Sequence, residues 1–392
     1  MNIDQRGTLR LLAVTAAFAV ATLYLAQPIL ALVAESFGLP VIRGGVMVSA
    51  TQAGYAAGLL LVLPLSDAVP RRRLMLGLLG GLAAALAAVA LSPTFPVLLV
   101  TSVAVGFFAS VAQLAVPLAA SFSAGSGEAA SIAIVFGGLL VGILGSRTLS
   151  GFIGQALGWR ALYGIFAPLV AVLAIWLSHS LPPLPAQALL RYRDALRSMG
   201  RLLVSTPGLV WGLATAGCLG LAFGAFWTSL TFRLEAAPWH LHPAVIGLFG
   251  LLGMAGVLGA PRAGRFIDRL GPGIVVTVAI GIAIAGQAFI GLAGGSLLPL
   301  ALGIFIYDLG HQVAFVSNMV RVQALVPGAR FRLNALLMTT VFVGMAAGSL
   351  AGTFLWPSGR VEGEALLLFA ALLVGSLGNR LAMATVGTDV SA

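Results

Sequence analysis

Twelve apolar runs follow one another along the chain, at about 9–33, 44–65, 74–92, 96–120, 130–155, 160–178, 207–232, 243–261, 274–293, 297–320, 333–356 and 363–383. A run of about 20 apolar residues is what a helix needs to cross the roughly 30 Å of bilayer hydrocarbon. Twelve runs of this length predict an all-α polytopic membrane protein. Composition excludes the soluble alternative: 60% of the 392 residues are hydrophobic and 8% are charged, against about 25% charged in an ordinary soluble domain.

The formal net charge of +10 comes entirely from arginine, since the chain contains no lysine. These arginines lie between apolar runs rather than on one surface, which argues against nucleic acid as a partner. The single cysteine, Cys218, sits inside an apolar run and implies no disulfide. Near the N-terminus, Arg6 and Arg10 precede an apolar run from Leu11 to Val33. That run exceeds the roughly 7–15 residues of a signal-peptide core and reads as a retained first helix.

The twelve runs fall into two sets of six. Between them lies a proline cluster, Leu181-Pro-Pro-Leu-Pro185, which a helix interior does not tolerate. The expected organisation is therefore an N-terminal six-helix bundle over 1–182, a cytoplasmic linker over 183–203 and a C-terminal six-helix bundle over 204–392. In the linker, Leu189, Tyr192, Leu196, Met199 and Leu203 share one helical stripe, with Arg191, Arg193, Arg197 and Arg201 off it. Such a helix suits a membrane surface, with its arginines toward anionic headgroups. With the N-terminus inside, the inner segments hold sixteen arginines and the outer ones four, leaving Arg147 within a span. The bias places both termini in the cytoplasm.

The two sets repeat each other. Asp67 and Asp268 follow the second and eighth spans at an offset of 201, and Glu35 and Glu235 end the first and seventh at an offset of 200. Gly142, Ser146 and Ser150 recur as Gly344, Gly348 and Gly352 at an offset of 202. Agreement of three register marks indicates a duplicated six-helix unit, an organisation used by transporters that rock one repeat against the other.

Several segments then resemble the major facilitator superfamily. Its loop signature, Gly-x-Leu-Ala-Asp-Arg-x-Gly-Arg-Arg, has two counterparts: Leu63-Pro-Leu-Ser-Asp67-Ala-Val-Pro-Arg71-Arg72-Arg73, which lacks both glycines and the first arginine, and Gly264-Arg-Phe-Ile-Asp268-Arg269-Leu-Gly271. The resemblance implies cytoplasmic latches built on Asp67, Arg71, Arg72, Asp268 and Arg269, in which acids and arginines act on each other and on helix ends. Gly138-x-x-x-Gly142 and Gly158-Trp159-Arg160 look like the fifth helix of export-type members, with Ser146 and Arg147 where those carry Gly-Pro. Tyr24-Leu-Ala-Gln27-Pro28, Ala50-Thr-Gln52-Ala-Gly54-Tyr55, Arg147-Thr-Leu-Ser-Gly151 and Asp308-Leu-Gly-His-Gln312 through Asn318 are similar to a bacterial branch of arabinose-efflux-like and drug:proton antiporter permeases. Ser102 stands four places before Gly106, where many proton-coupled exporters keep an arginine.

Two intramembrane charges stand out, Arg147 and Asp308. A charge at mid-helix costs about 2.5–3.5 kcal/mol on insertion scales, so each is a functional candidate by default. A pair exchanging between transport states couples protonation of Asp308 to release of Arg147; the bland alternative is a static pair that fixes packing. His311, one turn from Asp308, is a candidate to share its proton. Two ligands without a third make no metal site. Tyr24, Gln27, Gln52, Tyr55, Gln113, Arg147, Trp227, Gln312 and Asn318 are the candidate substrate-binding residues. Buried amides and aromatic hydroxyls need protein, water or ligand partners, and in the superfamily these spans line the central cavity. Pro28 predicts a kink in the first helix.

No phosphate loop is present and no enzyme signature appears, so neither catalysis nor a cofactor is expected. The sequence leads to a secondary active transporter working by alternating access, most simply proton-coupled efflux of a small drug-like or sugar-like molecule. Uptake or exchange of an organic anion on Arg147 is the rival within transport, and a non-transporting sensor or scaffold the rival outside it. The expected partners are the small-molecule substrate, protons as coupling ion and membrane lipid, with the chain acting as a monomer.

Overall fold

In a computed structural model, residues 3–66, 68–122, 128–181, 192–253, 264–355 and 361–389 are described, and among them every regular element is helical. Among the described residues, nine helices are long and apolar enough to span a membrane, and three shorter apolar helices, Gly7–Ala21, Pro243–Gly253 and Phe369–Ala384, occupy the remaining expected positions. The twelve expected spans therefore correspond to an all-α architecture of two six-helix sets.

The first set comprises α1 (Ile3–Ala21), α2 (Leu30–Ser36), α3 (Gly45–Leu65), α4 (Arg71–Ala90), α5 (Phe95–Ala109), α6 (Ala112–Phe122), α7 (Glu128–Leu157) and α8 (Trp159–Ser180). Two expected spans are interrupted. The first ends at Ala21 and resumes only through a 3-10 turn, Gln27–Ile29, before α2. Thr22 turns its hydroxyl back onto the Ala19 carbonyl at 2.7 Å, and Pro28 has no N–H for a helical bond to the Tyr24 carbonyl, which accepts instead from Gln27 at 3.2 Å in a tighter turn. The expected kink is thus a full break. The fourth span breaks at Ser110 and Val111, whose N–H groups fall back on Phe107 and Phe108 in tight turns. Pro117, inside α6, leaves the Gln113 carbonyl without its helical donor.

The linker helix α9 (Tyr192–Ser205) follows. Ala195 and Met199 are buried, Tyr192 and Leu196 are partly covered, and Arg193, Arg197 and Arg201 are exposed. The stripe ends one turn early, because Leu203 is exposed, and Leu189 and Arg191 lie outside the described residues.

The second set comprises α10 (Leu209–Glu235), α11 (Pro243–Phe249), α12 (264–270), α13 (Pro272–Leu292), α14 (Leu297–Ala324), α15 (Arg330–Leu355) and α16 (Val361–Asp389). The expected eighth span begins with α11 and the 3-10 turn Gly250–Gly253; its remainder falls in 254–263, outside the described residues.

Two compact units emerge: Met1–Ala195 with His242–Gly247, and Leu196–Leu241 with Leu248–Ala392. Internally they use the same packing. In the first, α1 lies on α7 and α4 on α8; in the second, α10 lies on α15 and α13 on α16. The small-residue ladders explain the closest of these approaches. A Cβ on Gly138 or Gly142 of α7 would stand 2.3 Å from the Ala13 or Ala17 carbonyl of α1. On Gly344 or Gly348 of α15 it would stand 2.2 or 2.0 Å from the Gly217 or Leu221 carbonyl of α10. Within lipid, where no hydrophobic effect separates helix from solvent, such close backbone contact is the main attraction between helices.

Candidate functional site

The break between α1 and α2 sets the geometry of the first unit's polar cluster. It places Tyr24 and Gln27 in turns rather than on a regular helical face. Arg147 of α7 meets both: its Nε donates to Gln27 Oε1 at 2.6 Å, and its guanidinium carbon lies 4.6 Å from the centroid of the Tyr24 ring. A longer bond of 3.5 Å runs to the Ile143 carbonyl of its own helix. Arg147 is 3% exposed and Gln27 2%. A buried guanidinium held by an amide oxygen and an aromatic face gains charge-assisted hydrogen bonding and cation–π attraction where water is excluded. Since Gln27 accepts through its oxygen, its Nε2 is a second donor beside the cation, and this buried nitrogen has no hydrogen-bond partner among the described residues.

On α3, Gln52 and Tyr55 are buried one turn apart. Gln113, at the start of α6, donates its amide to the Tyr55 hydroxyl at 3.2 Å. The break in the fourth span thus places a polar side chain against α3.

In the second unit, Asp308 and His311 of α14 are each 6% exposed, and Gln312 is half-buried. His311 and Asp308 share a face, but the imidazole bonds elsewhere: its Nε2 lies 3.0 Å from the Leu219 carbonyl of α10. Its Nδ1 is buried and has no hydrogen-bond partner among the described residues, so it is not bonded to the Asp308 carboxyl. Trp227 of α10 belongs to an aromatic group with Phe223, Phe226 and Tyr307 around this imidazole.

Asn318, further along α14, is committed at both ends. Its Nδ2 donates to the Gly212 carbonyl at 2.9 Å, and its Oδ1 accepts from Arg321 at 2.5 Å. Arg321 also donates to the Asn379 side chain of α16, whose amide nitrogen bonds Gly273 and Thr277 of α13 at 2.8 Å each. This network ties four helices of the second unit together. Its asparagine on α16 was not among the sequence candidates; a lone polar residue within an apolar run was the available signal.

Among the latch candidates, Asp67 lies outside the described residues. Arg72 donates to the Ser178 carbonyl, in the last turn of α8, where the carbonyl end of a helix favours a cation. Asp268 and Arg269 are exposed on α12, with no ion pair from either among the described residues. Arg160 was not a sequence candidate either. It lies 4.2 Å from the Trp159 ring centroid and 5.3 Å from that of Phe37, and it donates to the Ser92 carbonyl at 3.0 Å. It fastens the end of α4 to the start of α8.

Comparison with known proteins agrees with this architecture. Residues 12–349 match the profile of the Major Facilitator Superfamily. The chain is 35% identical over 368 residues to the uncharacterized transporter YgaY of Escherichia coli O157:H7, covering 94% of this chain and 93% of that one. It is 26% identical over 328 residues to a probable sugar efflux transporter of Helicobacter acinonychis, covering 82% and 81% of the two chains. Its fold superposes on the crystal structure of the human organic anion transporter MFSD10 with a TM-score of 0.70 at 19% identity, over 97% of this chain and 100% of that one. With a family match across most of the chain and a relative of this similarity, the protein belongs to the Major Facilitator Superfamily of multi-pass membrane transporters.

Proposed function

We propose that this transporter exports a small organic molecule in exchange for protons, with Asp308 as the proton carrier. One observation carries the reading: among the described residues, Arg147 and Asp308 are the two charged side chains fully buried within membrane-length helices, one in each unit. A charge kept at that depth without use is a standing cost, and a carboxyl whose charge changes with each cycle gives the cost a purpose. The export direction takes its support from the Helicobacter relative named as a probable sugar efflux transporter. Tyr24, Gln27, Gln52, Tyr55 and Gln113 in the first unit, and Trp227 and Gln312 in the second, are the proposed substrate contacts. The inner-membrane location with cytoplasmic termini belongs to the same proposal and is supported by the arginine bias.

A second reading, carriage of an organic anion, is favoured by the donors beside Arg147. The guanidinium and the unpartnered Gln27 Nε2 together suit a carboxylate.

A melting-temperature screen of the purified protein in detergent separates the two, because a ligand that binds only the folded state raises the midpoint. Ethidium, arabinose and benzoate serve as cation, neutral sugar and anion. Stabilisation by ethidium or arabinose that persists in Arg147→Ala supports the exporter; stabilisation by benzoate that disappears in Arg147→Ala supports the anion carrier.

A further inference from the structure

In the second unit, five aromatic rings from α10 and α14 form a closed circuit. Phe223 is 4.7 Å from His311 between ring centroids, His311 is 6.0 Å from Tyr307, and Tyr307 is 4.3 Å from Phe226. Phe226 is then 5.6 Å from Trp227, which returns to Phe223 at 6.1 Å. The His311 ring is inclined by 32° to Phe223 and by 26° to Tyr307. Its Nε2 must carry a proton, because the Leu219 carbonyl 3.0 Å away can only accept. In the neutral ring Nδ1 is then an acceptor, and this buried nitrogen has no partner among the described residues. Nothing in the coupling scheme uses that acceptor. Of the five rings, Phe223 alone is half-buried while the others are buried.

We propose that His311 Nδ1 is the specificity-determining acceptor of an aromatic subsite. The subsite takes a planar aromatic ligand carrying an O–H or N–H donor, whose ring displaces Phe223 and meets the imidazole at its Nδ1 edge, bringing the donor into the imidazole plane. The neighbouring rings and the Leu219 bond fix the plane of the imidazole, so a donor is accepted only along the Nδ1 lone pair. A ligand whose donor is methylated leaves Nδ1 buried and unpaired, and a site that loses a needed donor rejects the analogue. This inference rests on the reading of α10 and α14 as part of the substrate path and names the substrate class for it.

The test uses a matched, uncharged pair, 4-methylphenol and its methyl ether 4-methylanisole, which has no donor left, in equilibrium dialysis against the protein in detergent. The hydroxyl compound is expected to bind about tenfold or more tighter than its methyl ether. In His311→Phe, which keeps a ring and loses both nitrogens, the two compounds should bind alike. In His311→Gln, whose amide restores an acceptor, part of the preference should return. Phe223→Leu should bind the hydroxyl compound at least as tightly as the unsubstituted protein. Equal binding of the pair to the unsubstituted protein, no binding of either at millimolar concentration, or a preference that survives in His311→Phe would each overturn the proposal. Should His311→Phe fail to fold, the preference measured in the unsubstituted protein and in His311→Gln decides: a full preference in both, undiminished by the exchange of imidazole for amide, would overturn the proposal as well. A preference that vanishes in His311→Phe, found in a protein that moves no protons, would retain this subsite and discard the coupling.

Discussion

At the residue scale, the cost of a buried charge decides what Arg147 requires from its surroundings. Its Nε bond to Gln27 is both buried and charge-assisted, and such a bond contributes about 1.5–3 kcal/mol. Gln27→Ala should therefore lower the melting temperature in detergent by several degrees, whereas Tyr24→Phe, which keeps an aromatic face under the guanidinium, should change it little. A larger loss in Tyr24→Phe than in Gln27→Ala would show that the amide is not the principal support. Sequence alone made Arg147, Asp308, Tyr24 and Gln27 candidates, because polar groups inside apolar runs are conspicuous. It left their pairings open. Gln27 and Arg147 are separated by 120 residues, and only the break after Ala21 brings the amide to the guanidinium. His311 shows the reverse limit: helical spacing put it beside Asp308, while the carbonyl it bonds belongs to a different helix, which spacing does not reveal.

At the element scale, the span positions were legible because twenty-residue apolar runs are an unambiguous signal. The interruptions were legible only in part. Pro28 announced a kink and Pro117 was equally visible, yet neither fixes whether a helix bends or stops, since that depends on what the neighbouring helices offer the freed backbone groups. Close packing gives a sharper test. Gly142→Ala and Gly145→Ala lie one turn apart on α7, but a Cβ meets the Ala17 carbonyl at 2.3 Å in the first and nothing within 4 Å in the second. Gly142→Ala should destabilise the protein by about 1–3 kcal/mol, the usual cost of overpacking. Gly145→Ala should be neutral or stabilising by up to about 1 kcal/mol, as expected for glycine in a helix interior. Comparable melting temperatures for the two variants would contradict the packing described for α1 and α7. Gly348→Ala tests the corresponding contact of α15 on α10 and should behave as Gly142→Ala does.

At the scale of the whole molecule, the duplicated register marks foresaw what the packing displays, since α1 on α7 and α10 on α15 are the same arrangement built twice. The substrate was not legible, because this architecture is reused with many side-chain linings. The arginine bias belongs to this scale as well. With Cys218→Ser as background, a cysteine replacing exposed Arg193 should react with a membrane-impermeant maleimide only after the cells are opened, and labelling of intact cells would reverse the proposed orientation. The central claim is that protons drive transport through Asp308. The most direct measurement follows the pH gradient of everted membrane vesicles by acridine orange fluorescence while ethidium, arabinose and benzoate are added in turn. At least one of these solutes should dissipate the gradient in vesicles carrying the unsubstituted protein, and none should do so with Asp308→Asn. Gradient dissipation by Asp308→Asn at the unsubstituted rate, or none with either protein, would contradict the account.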